Sequence, residues 1–422
     1  MLIKRTPEDF QVRELTDFTP SAKGPVSVYE LTKRKITTFQ AVRKVAAAAK
    51  IPLDRIHYLA LKDRQAVTTQ LISVSDGRIP SDLRASGIKV RYLGRAPQHL
   101  DSSAALGNAF TIVVRDLSER DVKKTAGRME RTLAHGLINY FDDQRFGSLT
   151  AGQGMVGRDL VKGDYEAAVR RLLCAIGKRD PWPEKRFKTL VGKTWGDWDL
   201  IASKWGNRNG ASMVRHLKRK PQDFQGALSR LPGKERAIHV FAYQSLIWNE
   251  SVARYLTTLL PPHRRSSTAY VGGRHVWREL IGDQPAPDLP DMWPLLDHTV
   301  EVPDAAMRLA MDQALASEGL KQPRFEIKGI PGCFLKHYDR PLVIRPQNLA
   351  LSEAEPDDLR PGRLRQTLSF ELGSGSYATL VLKRVFGGTP DVERESSKGK
   401  KGKDKKGKGK KGKGKKGKRK KG

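Results

Sequence analysis

Apolar residues recur at every second position toward both ends of this chain and at every third or fourth position in its middle, and this change of period restricts the fold more than any other feature. Around "HYLALKDRQAVTTQLISV" (57–74), Ile56, Tyr58 and Ala60 alternate with His57, Leu59 and Leu61. Further on, Thr68, Gln70, Ile72 and Val74 alternate with Val67, Thr69, Leu71 and Ser73. The pattern is strand, break, strand, with Lys62, Asp63 and Arg64 in the break. A charged triplet at the mouth of a sheet is where a rigid scaffold presents side chains to a ligand; taken alone, it is more often a solvated turn.

The same reading places a strand at "VSVYELTKRK" and a helix at "TTFQAVRKVAAAAK", with Phe39, Val42, Val45 and Ala49 on one stripe and Pro52 closing it. In "GNAFTIVVRDL", Phe110, Ile112 and Val114 share one strand face. Ser118 and Asp121 then open a helix carrying Val122, Ala126, Met129 and Leu133, which ends at Gly136. Residues 1 to about 148 therefore predict one α+β unit with a mostly antiparallel sheet. The middle is helix-rich, either a second domain or an insertion. Its main helix, "AIHVFAYQSLIWNESVARYLTTLL", sets Ile238, Phe241, Trp248, Val252, Tyr255 and Leu259 at helical spacing, as core, and stops at Pro261 and Pro262. From about residue 326 strands return, with Leu368, Phe370 and Leu372 on one face. "GSGSYATLVLKRV" then reads as a glycine turn into a short amphipathic element.

Charge bounds the partner. The net charge is +32; residues 398–422, with fifteen Lys, one Arg and one Asp, carry +15, so the rest carries +17. A surplus on that scale points to a polyanion, nucleic acid first, because Lys and Arg displace condensed counterions from phosphates. The Lys/Gly tail has no apolar side chain to bury and is expected to be disordered, an electrostatic arm without chemistry. Cys174 and Cys333 form no C-x-x-C pair, which argues against a disulfide framework or a zinc site. No apolar run approaches the ~18 residues of a membrane span, and "MLIKRTPEDF" lacks a secretory signal's apolar core, so the cytoplasm is expected. No Walker, dinucleotide-binding, zincin or nucleophile-elbow motif is present.

Six stretches in a fixed order resemble the TruD family of tRNA pseudouridine synthases: "KRTPEDFQVRE" (4–14), "YLALKDRQAVTTQ" (58–70), "LGNAFTIVVR" (106–115), "NYFDDQRFG" (139–147), "YQSLIWNESVARYL" (243–256) and "GSYATLVLKR" (375–384). The resemblance implies a pseudouridine synthase catalytic fold, residues 1–148 and 326–395, interrupted by an inserted TRUD domain at 149–325 and followed by the tail from 396. It implies isomerisation of a tRNA uridine, at position 13 in the family's usual bacterial substrates, without metal, cofactor or membrane, by an enzyme expected to be a monomer.

Asp63 aligns with the family's catalytic aspartate. A free Asp, with a pKa of about 3.9, is ionised at neutral pH unless buried without a partner. It would either attack C1′ as a nucleophile or begin an elimination at the sugar; the sequence leaves both open. Lys4 aligns with a basic active-site residue that would pair with Asp63 or steady a phosphate, the plain alternative being a frayed N-terminal lysine. Lys62 and Arg64 flank the aspartate. Asn139 and Phe141 carry over as active-site residues on one side of a strand, Phe141 to stack on the uracil, with Tyr377 a second aromatic candidate. Gln144 and Arg145 would contact RNA or brace their loop. Asp142 stands where the family usually has Gly and would add charge near the pocket; Ala60 also replaces a common Gly. The rival readings are a non-catalytic RNA-binding protein or chaperone, which leaves the Asp63 motif unexplained, and a nuclease or glycosidase, which lacks a second acid near Asp63.

Overall fold

The computed structural model describes residues 1–391 apart from 76, 77, 81, 148, 150–153, 178, 179 and 280–286. The Lys/Gly tail, expected to be disordered, lies outside the described residues.

The N-terminal part runs β1 (Phe10–Thr16), β2 (Val26–Arg34), α1 (Thr38–Ala49), β3 (Ile56–Tyr58), β4 (Val67–Val74), β5 (Asp82–Ala85), β6 (Ile88–Ala96), β7 (Ala105–Leu117), α2 (Glu119–His135) and β8 (Leu137–Ile138). Helix starts follow local chemistry. Thr37 and Gln40 form a capping box at α1, and Ser118 and Asp121 form one at α2, each satisfying backbone N–H groups that have no partner in the first turn. A helical region follows: α3 (Val156–Lys162), α4 (Tyr165–Cys174), α5 (Trp182–Lys193), α6 (Trp198–Trp205), α7 (Ala211–Arg219), α8 (Phe224–Leu228) and α9 (Gly233–Leu259). The hairpin β9 (Arg265–Tyr270) and β10 (Gly273–Arg278), then β11 (Met292–Pro294) and α10 (Ala305–Ser317), complete it. The chain returns through β12 (Asp339–Pro341), β13 (Val343–Ile344), β14 (Gln347–Leu351), β15 (Glu355–Pro356), β16 (Leu364–Gly373) and α11 (Ala378–Phe386).

Both ends of the chain build one sheet, in the order β14-β16-β7-β1-β4-β2-β6-β5, with β15 added to β16 and β3 to β4. Its ladders are antiparallel except β1 with β4, which pair in parallel at its middle. Val343 pairs with Ile138 and Ile344 with Leu137, so the chain leaves for the helical region and comes back through adjacent strands. One buried guanidinium joins the two sheet-forming segments. Arg115 on β7 donates to Asp9 ahead of β1 and to Asp357 and Asp358 between β15 and β16.

Helix α1 covers one half of a sheet face over Tyr29, Leu31, Ile72 and Val74, while α2 and α11 belong with the core around Ile112, Val114, Leu368 and Phe370. Register puts Val12 opposite Thr68 and Phe110 opposite Phe370, so these residues lie on the same face, between the two helix-covered halves.

Several expected stripes are rotated. In α1 the buried face is Thr38, Ala41, Val42, Val45 and Ala46, and Phe39 is exposed. In α2 Thr125 and Thr132 are buried while Ala126 and Leu133 are exposed, one residue around the helix from the expected stripe. Ile238 and Leu259 on α9 are likewise exposed, whereas Trp248 and Val252 are core. Residues 378 and 380–386 of α11 are all buried, so this element is not amphipathic: Lys383 and Arg384 are taken into the interior because carboxylates wait there for them.

Candidate active site

A cleft of about 590 Å³ opens on that face between the start of α1 and the start of α11. Val12, Phe10 and Phe110 lie on its sheet side, Lys4, Lys62 and Asp63 on one wall, and Arg145, Ile238 and Tyr377 on the other. Ile238, expected as core, is exposed because it faces this opening.

The Asp63 segment joins β3 to β4 and is held by buried polar groups beneath it. Thr38 Oγ1 accepts the Lys62 N–H at 2.9 Å and donates to Gln70 Oε1 at 3.1 Å, and Gln70 Nε2 donates to the Ala60 carbonyl at 3.0 Å. Lys33, fully buried, donates from Nζ to the Asp63 carbonyl at 2.6 Å and to the Ile36 carbonyl at 3.0 Å. Burial without a carboxylate in contact pulls this ammonium down to about 8, against the attraction of Asp63 and with the repulsion of Lys62. The backbone of Asp63 is thus anchored from below, and its side chain is left to face the cleft.

Lys4 Nζ donates to Asp63 Oδ2, and the Gln65 N–H donates to Oδ1 at 2.9 Å. Lys4 holds a left-handed backbone, φ 57°, and lies over the Phe10 ring at 4.0 Å. It is therefore no frayed terminus, being locked between the aspartate and an aromatic face. Burial works against the Asp63 charge, but the Lys4 ammonium, the Gln65 N–H and the Lys33 ammonium together hold its carboxyl below the usual range. Asp63 is ionised at neutral pH. Lys62 points elsewhere, pairing with Glu14 at 2.7 Å and donating to Asn108 Oδ1 at 2.6 Å, and Arg64 is exposed.

The "NYF" residues are not in a strand, because pairing stops at Ile138. Asn249 on α9 instead clamps the Phe141 backbone, accepting its N–H at 2.9 Å and donating to its carbonyl at 2.8 Å. Asn139 is buried and holds Arg340, accepting from it through the backbone carbonyl at 2.9 Å and through Oδ1 at 2.8 Å. The Arg340 guanidinium lies over Phe141 at 4.2 Å and that of Arg145 at 5.4 Å, and the Phe141 ring is only 3% exposed. Its edge meets Tyr377, which itself lines the cleft. Burial pushes the Tyr377 phenol up, against the pull of Arg145 and Arg340. Gln144 is exposed at the cleft, and Arg145 is braced by Ser245 at 3.0 Å. Asp142 brings no free charge: it is fully buried and Lys383 Nζ donates to it at 2.5 Å.

Among the described residues, then, the structure gathers Lys4, Lys62, Asp63, Gln144, Arg145 and Tyr377 at one cleft and sets Asn139 and Phe141 behind its wall. Sequence reasoning missed Lys33, Thr38 and Gln70. The signal was present for two of them: Lys33 shares the strand phase of Tyr29 and Leu31, and Gln70 that of Ile72 and Val74, polar groups at buried positions. No cluster of three or more His, Cys, Asp or Glu that could hold a metal occurs among the described residues, nor does a helix long and apolar enough to cross a membrane.

The sequence profile of the family described as tRNA pseudouridine synthase D (TruD) matches residues 1–271 and 288–385. A relative from Methanocaldococcus jannaschii, "Probable tRNA pseudouridine synthase D 2", is 34% identical over 94% of this chain and 94% of its own length. "tRNA pseudouridine synthase D" of Aquifex aeolicus is 30% identical over 91% of this chain and 97% of its own. The crystal structure of a Methanosarcina mazei protein described under the same family superposes with a TM-score of 0.73 at 25% identity, covering 92% of this chain and 93% of that one.

Proposed function

This chain belongs to the tRNA pseudouridine synthase D family, and on that premise we propose that it converts a uridine of tRNA to pseudouridine with Asp63 as the reacting carboxylate. In the reaction the N1–C1′ bond breaks, a C5–C1′ bond forms, and the proton on C5 is released. N1 takes up a proton in its place, so the product is an isomer of the uridine with no net change in composition. The observation that carries the reading is the ionised Asp63 side chain, paired with Lys4 and turned into a cleft large enough for a nucleotide. Both routes to cleavage, attack at C1′ and elimination at the sugar, begin from a carboxylate. Lys4 keeps it in that form and lies within reach of a phosphate.

The base is swung out of the tRNA and received against Tyr377, with Phe141 backing it from behind the cleft wall. Arg340 and Arg145 both lie over the Phe141 ring, so a base would stack directly on it only after both guanidiniums turn away. Asn139 acts by fixing Arg340 behind the wall. Gln144 and Arg64, both exposed at or beside the cleft, are offered as RNA contacts. The domain division follows the same reading, a catalytic unit from both ends of the chain and a TRUD insertion between them. The modified nucleotide is expected at tRNA position 13, which sequencing of pseudouridines in total RNA with and without the gene will check.

The test uses tRNA tritiated at uracil C5. The wild type should release tritium and leave the chain intact, while Asp63→Ala should release it about 10³-fold more slowly or not at all and still bind RNA. Equal release by the two proteins would remove Asp63 from the mechanism, and free uracil or strand cleavage would point to a hydrolase.

A further inference from the structure

A second concavity, about 530 Å³, lies at the other end of α11 from the cleft. Ala378 at the head of α11 lines the cleft and Gly387 just past its end lines this groove, about 13 Å apart at 1.5 Å per residue. Its walls are α2, the β9–β10 hairpin and the end of α11. From α2 come the exposed Lys123 and Lys124 together with the half-buried Arg128 and Arg131, and from α11 comes Arg384. Against these five cations the described lining residues include one carboxylate, Glu279, and a sixth cation, Lys383, is paired with Asp142 and Asp143.

Glu279 is itself committed. It accepts from Arg384 at 2.5 Å and from Ser266 at 2.5 Å, and Arg131 stands 3.9 Å away. Arg128 donates to the Phe386 carbonyl at 2.9 Å and lies against Gly387, whose left-handed backbone (φ +75°) and missing side chain leave room for the guanidinium. Gly127 lines the groove in mid-helix, between Lys124 and Arg128. Burial lowers the Arg128 pKa, with smaller contributions from the Arg131 and Arg384 guanidiniums, against the opposing pull of Glu279 and Asp121. Arg278 beside the groove responds in the same direction, through burial, Arg384 and Arg345. Among the described lining residues cations outnumber carboxylates, an excess that suits an anionic ligand.

We propose that this groove is a second phosphodiester-binding site, which holds a stretch of tRNA backbone away from the reacting uridine; this rests on the tRNA reading above. Lys123 to Arg131 spans about 12 Å along α2, long enough to meet more than one phosphate of a strand. The hydroxyls of Ser266, Ser267 and Thr268 suit phosphate oxygens at the opposite wall. The same rigid helix α11 carries Tyr377 at its head and Arg384 near its end, so backbone held in the groove sets where the uridine meets the cleft.

The test is tRNA binding by the full chain over a range of salt concentrations. It compares wild type, Lys123→Glu with Lys124→Glu, and a control of equal charge change away from both concavities, Lys193→Glu with Lys220→Glu; all four lysines are exposed. The groove variant should bind at least ten-fold more weakly near 0.1 M salt, and its log K against log salt slope should flatten by about 2, more than in the control. Equal losses in groove variant and control would overturn the proposal, as would unchanged binding by the groove variant. Saturable binding of inorganic pyrophosphate, lost in the groove variant without change in tRNA affinity, would also overturn it by assigning the groove to a free anion. Binding and tritium release are read separately, so a wild type that binds tRNA but releases no tritium would sink the isomerase reading and leave the groove standing.

Discussion

Asp63 is useful because its neighbours divide the work. Lys4 and the Gln65 N–H act on the carboxylate, while Lys33 acts on the backbone carbonyl of the same residue. Lys33 therefore positions and does not react. With its ammonium lowered from 10.5 to about 8, it holds its proton less tightly in the folded chain than in the unfolded one. Below pH 8 both states are protonated and the penalty of burying the charge is fully present. Between pH 8 and 10.5 the unfolded state binds more protons, so stability rises with pH and the penalty is relieved. Urea unfolding of wild type and Lys33→Met should show the difference moving in favour of wild type across that window, by no more than about 3 kcal/mol. A constant difference would mean that Lys33 is not strained by burial.

At the scale of elements, the cleft depends on how closely strands and helix ends approach. Gly107 on β7 stands opposite Gly373 on β16, just before the turn that leads to Tyr377. A methyl group at Gly107 would lie 2.1 Å from the Leu372 carbonyl oxygen, a backbone atom with nowhere to retreat. Gly107→Ala should destabilise the fold by about 1–3 kcal/mol, read as a lowered thermal midpoint, and should slow tritium release as Asn108 and the Tyr377 turn shift. Thr38 shows how an element end and a loop become one unit. Its side chain faces inward at the first turn of α1 and there ties Lys62 to Gln70.

Over the whole molecule, charge and topology serve the same substrate. Residues 1–397 carry a net +17, a surplus that favours a polyanion, and residues 398–422 add a further +15. Removing those residues should lower tRNA affinity and flatten its salt dependence while leaving the modified position where it was. A shift in that position on mapping the pseudouridines would give the tail a part in recognition. The helical region and the sheet meet at the cleft through α9, which supplies Asn249 to clamp Phe141 and Ser245 to brace Arg145.

The sequence alone determined what depends on local pattern. Alternation located the strands around the Asp63 break, Ser118–Asp121 started α2, Pro261 closed α9, and six ordered motifs named the family and its aspartate. Only the tertiary structure decided what depends on partners distant in sequence. It turned Phe39 and Leu133 outward, because which side of a helix is buried is set by the sheet it lands on. It neutralised Asp142 through Lys383, 241 residues later, and drew Asn139 and Phe141 out of a strand and against α9. It also brought Lys4 to Asp63 across 59 residues, an ion pair that neither segment's spacing specifies, since a local pattern records which face is buried and not what that face will meet.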